Sequence, residues 1–143
     1  IMAYEITKAE VWAGDIEDRP GTLAHMLGAL QQAGANLDFV IVRPTAGLPG
    51  QGVLFVAPLH GPPQIAAAEE IGLRKSASMH VLRVAGPDQP GLGAGIARTL
   101  AEASLNIAGL SAAAITDTAL FYVRFATDAD AKRAAQVLTA RLG

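Results

Sequence analysis

The chain has 143 residues, 51% of them hydrophobic, which is material for one ordinary domain or two small ones and too apolar for disorder. A net charge of −2 without a basic stripe excludes the electrostatic footprint of a nucleic-acid binder. No apolar run reaches the roughly 18 residues of a membrane helix, no basic-then-apolar leader pattern opens the chain, and the absence of cysteine excludes disulfides, thiol catalysis and thiolate metal sites. These exclusions make the cytoplasm the expected compartment.

In chain order, residues 9–16 alternate apolar and polar and predict a half-buried strand. Asp18-Arg19-Pro20-Gly21 ends it at a corner, where the Asp18 carboxylate is expected to cap the free amides of a following helix and proline is tolerated near the helix start. Leu23, Met26, Leu27, Leu30 and Ala33 form that helix's apolar stripe, and Gly34 suits its end. Asn36 opens a strand through Phe39 to Val42. Pro44 to Gly52 is a Gly/Pro-rich turn, Val53 to Ala57 a strand, and Pro62 or Pro63 starts a helix ending near Gly72. The second half predicts a strand at 79–85, a helix at 90–104, strands at 106–115 and 119–126, and a helix at 128–142, with a tight turn at Thr116-Asp117-Thr118.

The halves are repeats. At an offset of 70 residues (Pro20 to Pro90), Asp18, Pro20 and Gly21 fall on Asp88, Pro90 and Gly91, and Ala24, Leu30, Ala33 and Asn36 fall on Ala94, Leu100, Ala103 and Asn106. The matches sit at the corners and on one helix face. Copy one is assigned to residues 9–77 and copy two to residues 78–143. Copy two ends on its second helix with no strand after it, so residues 3–8 are expected to supply its missing edge strand, pairing either within the chain or with another subunit.

With Asp18-Arg19-Pro20-Gly21-Thr22-Leu23 and Asn36, and Asp88-Gln89-Pro90-Gly91-Leu92 and Asn106, the sequence resembles the ACT domain family over nearly its whole length, as a tandem of two copies. The resemblance implies an α+β fold of two ferredoxin-like βαββαβ units, antiparallel sheets with helices on one face, and the N-terminal strand completing the second unit. No catalytic or DNA-binding domain accompanies the copies, so the resemblance implies a stand-alone regulatory module that binds an amino acid or related metabolite. In the family, ligands lodge where the first strand–helix loop of one unit meets the second strand of a paired unit. Carried over by position, this implicates Asp18, Arg19, Gly21, Thr22 and Leu23 facing Asn106, and Asp88, Gln89, Gly91 and Leu92 facing Asn36. The chemistry suits an amino acid. Open amides and a helix dipole attract a carboxylate, an aspartate pairs with an ammonium, and asparagine offers both donor and acceptor. Ile16 and Gly86 stand two positions before the corner acids, where some amino-acid-binding members carry a polar or histidine residue.

Plain structural roles compete for the same residues. Asp, Pro and Gly also make a simple helix-start corner, and Asn36 and Asn106 also satisfy a strand-opening turn. Gly91, Gly93 and Gly95 follow a strand but are spaced Gly-x-Gly-x-Gly, not as in a dinucleotide loop, and favour close helix packing. His25, His60 and His80 lack metal-ligand spacing. Ser111 lies outside a nucleophile elbow, and Asp128 and Asp130 read as charges at a helix start. Trp12 is expected to be buried at a sheet face or interface. No nucleophile–base pair, carboxylate dyad or metal cluster emerges, so neither catalysis nor a cofactor is expected. The expectation is a ligand-binding regulatory module, as a homodimer with an unidentified protein partner. The competing reading is a structural or protein–protein interaction module with no small-molecule ligand.

Overall fold

The computed structural model describes residues 4–143, so the expectation for residue 3 lies outside the described residues. The chain divides into two compact units, Glu10–Ser76 and a second built from Ala77–Gly143 with the N-terminal segment to Ala9.

The first unit contains β2 (Trp12–Glu17), α1 (Thr22–Gln32), β3 (Phe39–Pro44), β4 (Gln51–Ala57), α2 (Gly61–Glu70) and the two-residue β5 (Arg74–Lys75). Its antiparallel sheet runs β3-β4-β2-β5, with Trp12 opposite both Val56 and Lys75. Trp12, Ile16, Leu54 and Val56 alternate along β2 and β4 and meet Met26 and Leu30 of α1 and Ala68 after them in α2. The period-two and helical patterns thus close on one core. Trp12 is buried within it.

In the second unit β1 (Glu5–Ala9) joins β6 (His80–Pro87), α3 (Leu92–Glu102), β7 (Gly109–Ile115), β8 (Thr118–Phe125) and α4 (Asp128–Leu142). The antiparallel sheet runs β1-β6-β8-β7, and Glu5 to Ala9 pair with Ala85 to Val81. The N-terminal strand therefore completes the second unit, as the missing fourth strand requires. Leu82, Val84, Phe121, Val123 and Phe125 on the sheet pack with Ile96 and Leu100 of α3 and Leu138 of α4. Both units are α+β, with four antiparallel strands and two helices each.

Each corner departs from the capping expectation. The N-caps of α1 and α3 are Gly21 and Gly91, at φ 94° and 83°, and neither helix has a side-chain cap. A residue held in the left-handed region turns the chain into the helix without a capping carboxylate, and only glycine does so without strain. Asp18 and Asp88 precede the cap by three positions and act through the backbone: their amides donate to Gly50 O (3.0 Å) and Asp117 O (2.8 Å), tying each corner to a neighbouring turn. Helix α4 does have a side-chain cap, from Thr127, whose hydroxyl accepts from the Asp130 amide at 3.0 Å.

Candidate functional site

In the first unit the exposed residues Glu17 to Gly21 leave β2, and Thr22 fastens the corner. Its hydroxyl donates to the carbonyl oxygens of Glu17 (2.5 Å) and Arg19 (2.9 Å). The Arg19 guanidinium is ion-paired with the Glu17 carboxylate. Two hollows flank this corner. One, of about 450 Å³, lies against Asp15, Glu17, Arg19, Thr22 and His25, with Ile16, Met26 and Ile71 as its apolar side. The other, of about 170 Å³, lies toward β3 and is lined by Asp18, Arg19, Thr22, Leu23, Val42 and Arg43 among others. Asp18, Arg19, Gly21, Thr22 and Leu23 are thus brought together, with both charge signs and the open first-turn amides of α1 at one lip.

The second unit's corner carries Asp88, Gln89 and Gly91 exposed. Leu92, the counterpart of Thr22, is buried in the core and has no side-chain hydroxyl; its amide donates to Gln89 O at 3.3 Å. In place of the threonine hydroxyl stands Tyr4, just ahead of β1. Its hydroxyl donates to Pro87 O at 2.7 Å and accepts from Gln89 Nε2 at 2.8 Å. Its ring lies over Gly86 so closely that a methyl group there would be 2.3 Å from Tyr4 Cδ1. Sequence reasoning missed Tyr4, because it precedes the repeat. The available signal was Gly86, a minimal residue on a strand position where copy one carries Ile16.

Asn36 and Asn106 are exposed and follow α1 and α3. Eleven helical residues, about 16 Å, separate each from its own unit's corner, so neither asparagine meets that corner within its unit. Among the described residues no cluster of three or more His, Asp or Glu is arranged to hold a metal, and no helix is long and apolar enough to cross a membrane. Asp128, at the start of α4, is the perturbed acid. A hydrogen bond from Lys132, and the nearby charges of Lys132 and Lys8, hold its carboxyl below the ordinary aspartate range. It lies beside β1 and is far in sequence from either corner.

The ACT domain family model matches residues 78–141, most of the second unit. No curated protein matches the chain. Among solved structures, a protein from Bacteroides thetaiotaomicron aligns at TM-score 0.78 and 17% identity, covering 95% of this chain and 90% of that one. The ligand-free regulatory subunit of aspartate kinase from Thermus thermophilus aligns at TM-score 0.64 and 16% identity, covering 96% and 95%. The corresponding subunit from Thermus flavus aligns at TM-score 0.54 and 20% identity, covering 95% and 97%. At these identities the likeness is one of fold. It extends over both units, and the ACT domain family model matches residues 78–141, within the second of them.

Proposed function

We propose that the protein is a non-catalytic regulatory module that binds an amino acid through its corners. The observation that carries this reading is the pair of helix starts at Gly21 and Gly91. Both are left-handed and free of a side-chain cap, and in the first unit the helix start adjoins hollows lined by Asp18, Glu17 and Arg19. Uncapped amides at a helix start favour a carboxylate, and adjacent acids favour an ammonium. The contacts are assigned to Asp18, Arg19, Gly21, Thr22 and Leu23, and in the second unit to Asp88, Gln89, Gly91 and Leu92. Asn36 and Asn106 serve as contacts for a corner of another copy in a homodimer. The regulatory subunits of aspartate kinase that share the fold support this reading by analogy.

A thermal-shift screen against the common amino acids, confirmed by calorimetry, tests it. A ligand at about 100 times its Kd stabilises by roughly 2.7 kcal/mol, a clear rise in Tm. A selective hit weakened by Asp18→Ala or Asn106→Ala supports the reading, and a flat screen refutes it.

The second reading, a protein-interaction module, is favoured by the outer strands. Val40 and Val42 on β3 are each 42% exposed, and Leu110 and Ile115 on β7 are 48% and 77% exposed. Strands β3 and β7 are the sheet edges of their units, and apolar edges are natural sites for strand or face pairing. Light scattering that gives a dimer, converted to monomer by Val42→Lys with Leu110→Lys, supports this assembly.

A further inference from the structure

The two corners differ in what fills the space beside them. In the second unit, the ring of Tyr4 covers Gly86 on the helix side of the sheet, and its hydroxyl bridges Pro87 O and Gln89. By the 70-residue offset, Gly86, Pro87, Gln89 and Gly95 correspond to Ile16, Glu17, Arg19 and His25. Those four residues line the 450 Å³ hollow of the first unit. That unit's fourth strand, β5, is only the two residues Arg74 and Lys75, paired with Ala13 and Trp12. It stops short of the position opposite Ile16, whereas β1 runs its pairing to Glu5 opposite Ala85, with Tyr4 next in line. The first unit therefore keeps a recess at the equivalent corner, bounded by Ile16 in place of Gly86 and by Ile71, with no ring across it. A recess of this size lies within the ~300–1,000 Å³ of small-molecule sites.

We infer that this recess is the ligand site of the first unit, that it takes one amino acid with an apolar, preferably aromatic, side chain, and that the second unit's equivalent is permanently filled by Tyr4. The inference rests on the amino-acid reading proposed above, narrows it to the first unit's corner, and names the face of that corner and the ligand class. Tyr4 is an internal template: a ring on the strand with a polar end at the corner. In the first unit Ile16, Met26 and Ile71 offer the apolar floor for such a side chain. The polar end differs. Thr22 already donates to the Glu17 carbonyl, the acceptor equivalent to the one Tyr4 uses. The groups left for the ligand are the Glu17 carboxylate and the Arg19 guanidinium, a charge pair that matches the ammonium and carboxylate of an amino acid and would open to receive them. Two opposite charges at one end and an apolar floor at the other select against amino acids with charged side chains.

Calorimetry with L-phenylalanine, L-leucine, L-lysine and L-glutamate tests this on the whole chain. The expected result is one bound phenylalanine or leucine per chain, with lysine and glutamate at least tenfold weaker. His25→Trp, at an exposed helix position, fills the recess and weakens binding at least tenfold, while Gly95→Trp, its counterpart in the second unit, leaves affinity within twofold. Glu17→Gln weakens binding by about tenfold without changing the stoichiometry. Binding that survives His25→Trp, is lost in Gly95→Trp, or occurs at two sites per chain overturns the placement while leaving the amino-acid reading standing. Preference for lysine or glutamate overturns the ligand class. Binding of no amino acid at all overturns both readings.

Discussion

The two units share a fold and a corner, and they close the fourth edge of their sheets differently. The first unit ends on two residues of β5 after a ten-residue α2, and the second borrows five residues of β1 from the far end of the chain and carries a fifteen-residue α4. A fourth strand is needed in both, because the helix-facing apolar residues of β2 and β6 would otherwise lie open along one side. What differs is how far that strand extends. Where it continues past Glu5, Tyr4 arrives at the corner as a built-in occupant, and where it reaches only Arg74, opposite Ala13, the corner keeps a hollow. Unequal edges thus set apart a corner that a side chain of the same unit covers from one that keeps a hollow.

The largest effects test whether the two cores are equivalent. Leu30 and Leu100 are repeat partners, 1% and 0% exposed, each at the centre of its unit's core. Leu30→Ala and Leu100→Ala are each expected to cost about 2–5 kcal/mol in urea unfolding, the transfer term plus the cavity left behind. Trp12 is the single tryptophan and belongs to the first core, so its fluorescence follows Leu30→Ala directly. A cost below about 1 kcal/mol at either position would show that core to be loosely packed.

Next comes the edge itself. Gly86→Ala places a methyl group 2.3 Å from the Tyr4 ring, which has to leave or shift. The expected cost is about 1–3 kcal/mol, typical of overpacking, and the hydrogen bonds of the Tyr4 hydroxyl with Pro87 and Gln89 should be lost with it. Amide exchange of β1 reads this out. If protection at Ile6 and Lys8 is unchanged in Gly86→Ala, Tyr4 does not anchor the strand.

A smaller effect compares the ends of α1 and α3. Gly34 holds φ 90° after α1, and its repeat partner Ser104 holds φ 58° after α3, with the Ala35 and Leu105 amides closing the same bonds onto Leu30 O and Leu100 O. A side chain in the left-handed region is strained by about 1–2 kcal/mol, an amount partly offset by glycine's freer unfolded chain. Ser104→Gly is therefore expected to stabilise by about 0.5–1 kcal/mol and Gly34→Ser to destabilise by a similar amount. Thermal unfolding in which both variants fall in Tm would refute the shared end geometry.

Much of this organisation was legible in the repeat. The offset of 70 residues located both corners, both first helices and the need for an N-terminal strand in the second unit, because apolar periodicity and a missing strand are properties of the chain alone. The corner residues did converge, yet Asp18 and Asp88 are held by their amides and not by carboxylate capping, since a left-handed glycine already makes the turn. Leu92 was read as a contact by its position in the motif and is buried in the core, where it matches Thr22 in place but not in chemistry. The role of Tyr4 was signalled only by the bare Gly86, which says that something lies close but not what. It depends on strand pairing across more than 80 residues, and no periodicity or motif encodes which side chain a distant edge strand brings to a corner.

The smallest effect concerns the charges that border β1. Asp128 at the first turn of α4 lies 3.1 Å from Lys132 Nζ and 3.6 Å from Lys8 Nζ, linking the helix start to the borrowed strand. The hydrogen bond from Lys132 and the two positive charges lower the Asp128 pKa in the folded chain. A carboxyl whose folded pKa is depressed binds fewer protons folded than unfolded. Its contribution is therefore complete above the ordinary aspartate pKa of about 3.9 and is lost as pH falls through the lower folded value. Asp128→Asn should accordingly narrow the stability difference from the parent as acid is added, with the two converging at the lowest pH where both still fold. Because the group is exposed, the difference should also shrink as salt is raised toward 1 M, where charges are screened over about 3 Å. In the first unit β5 is instead tied through Lys75 to Glu10, outside any helix start. A difference between Asp128→Asn and parent that persists unchanged into acid and high salt would assign the residue's contribution to uncharged hydrogen bonding at the helix start, in place of the link to the borrowed strand.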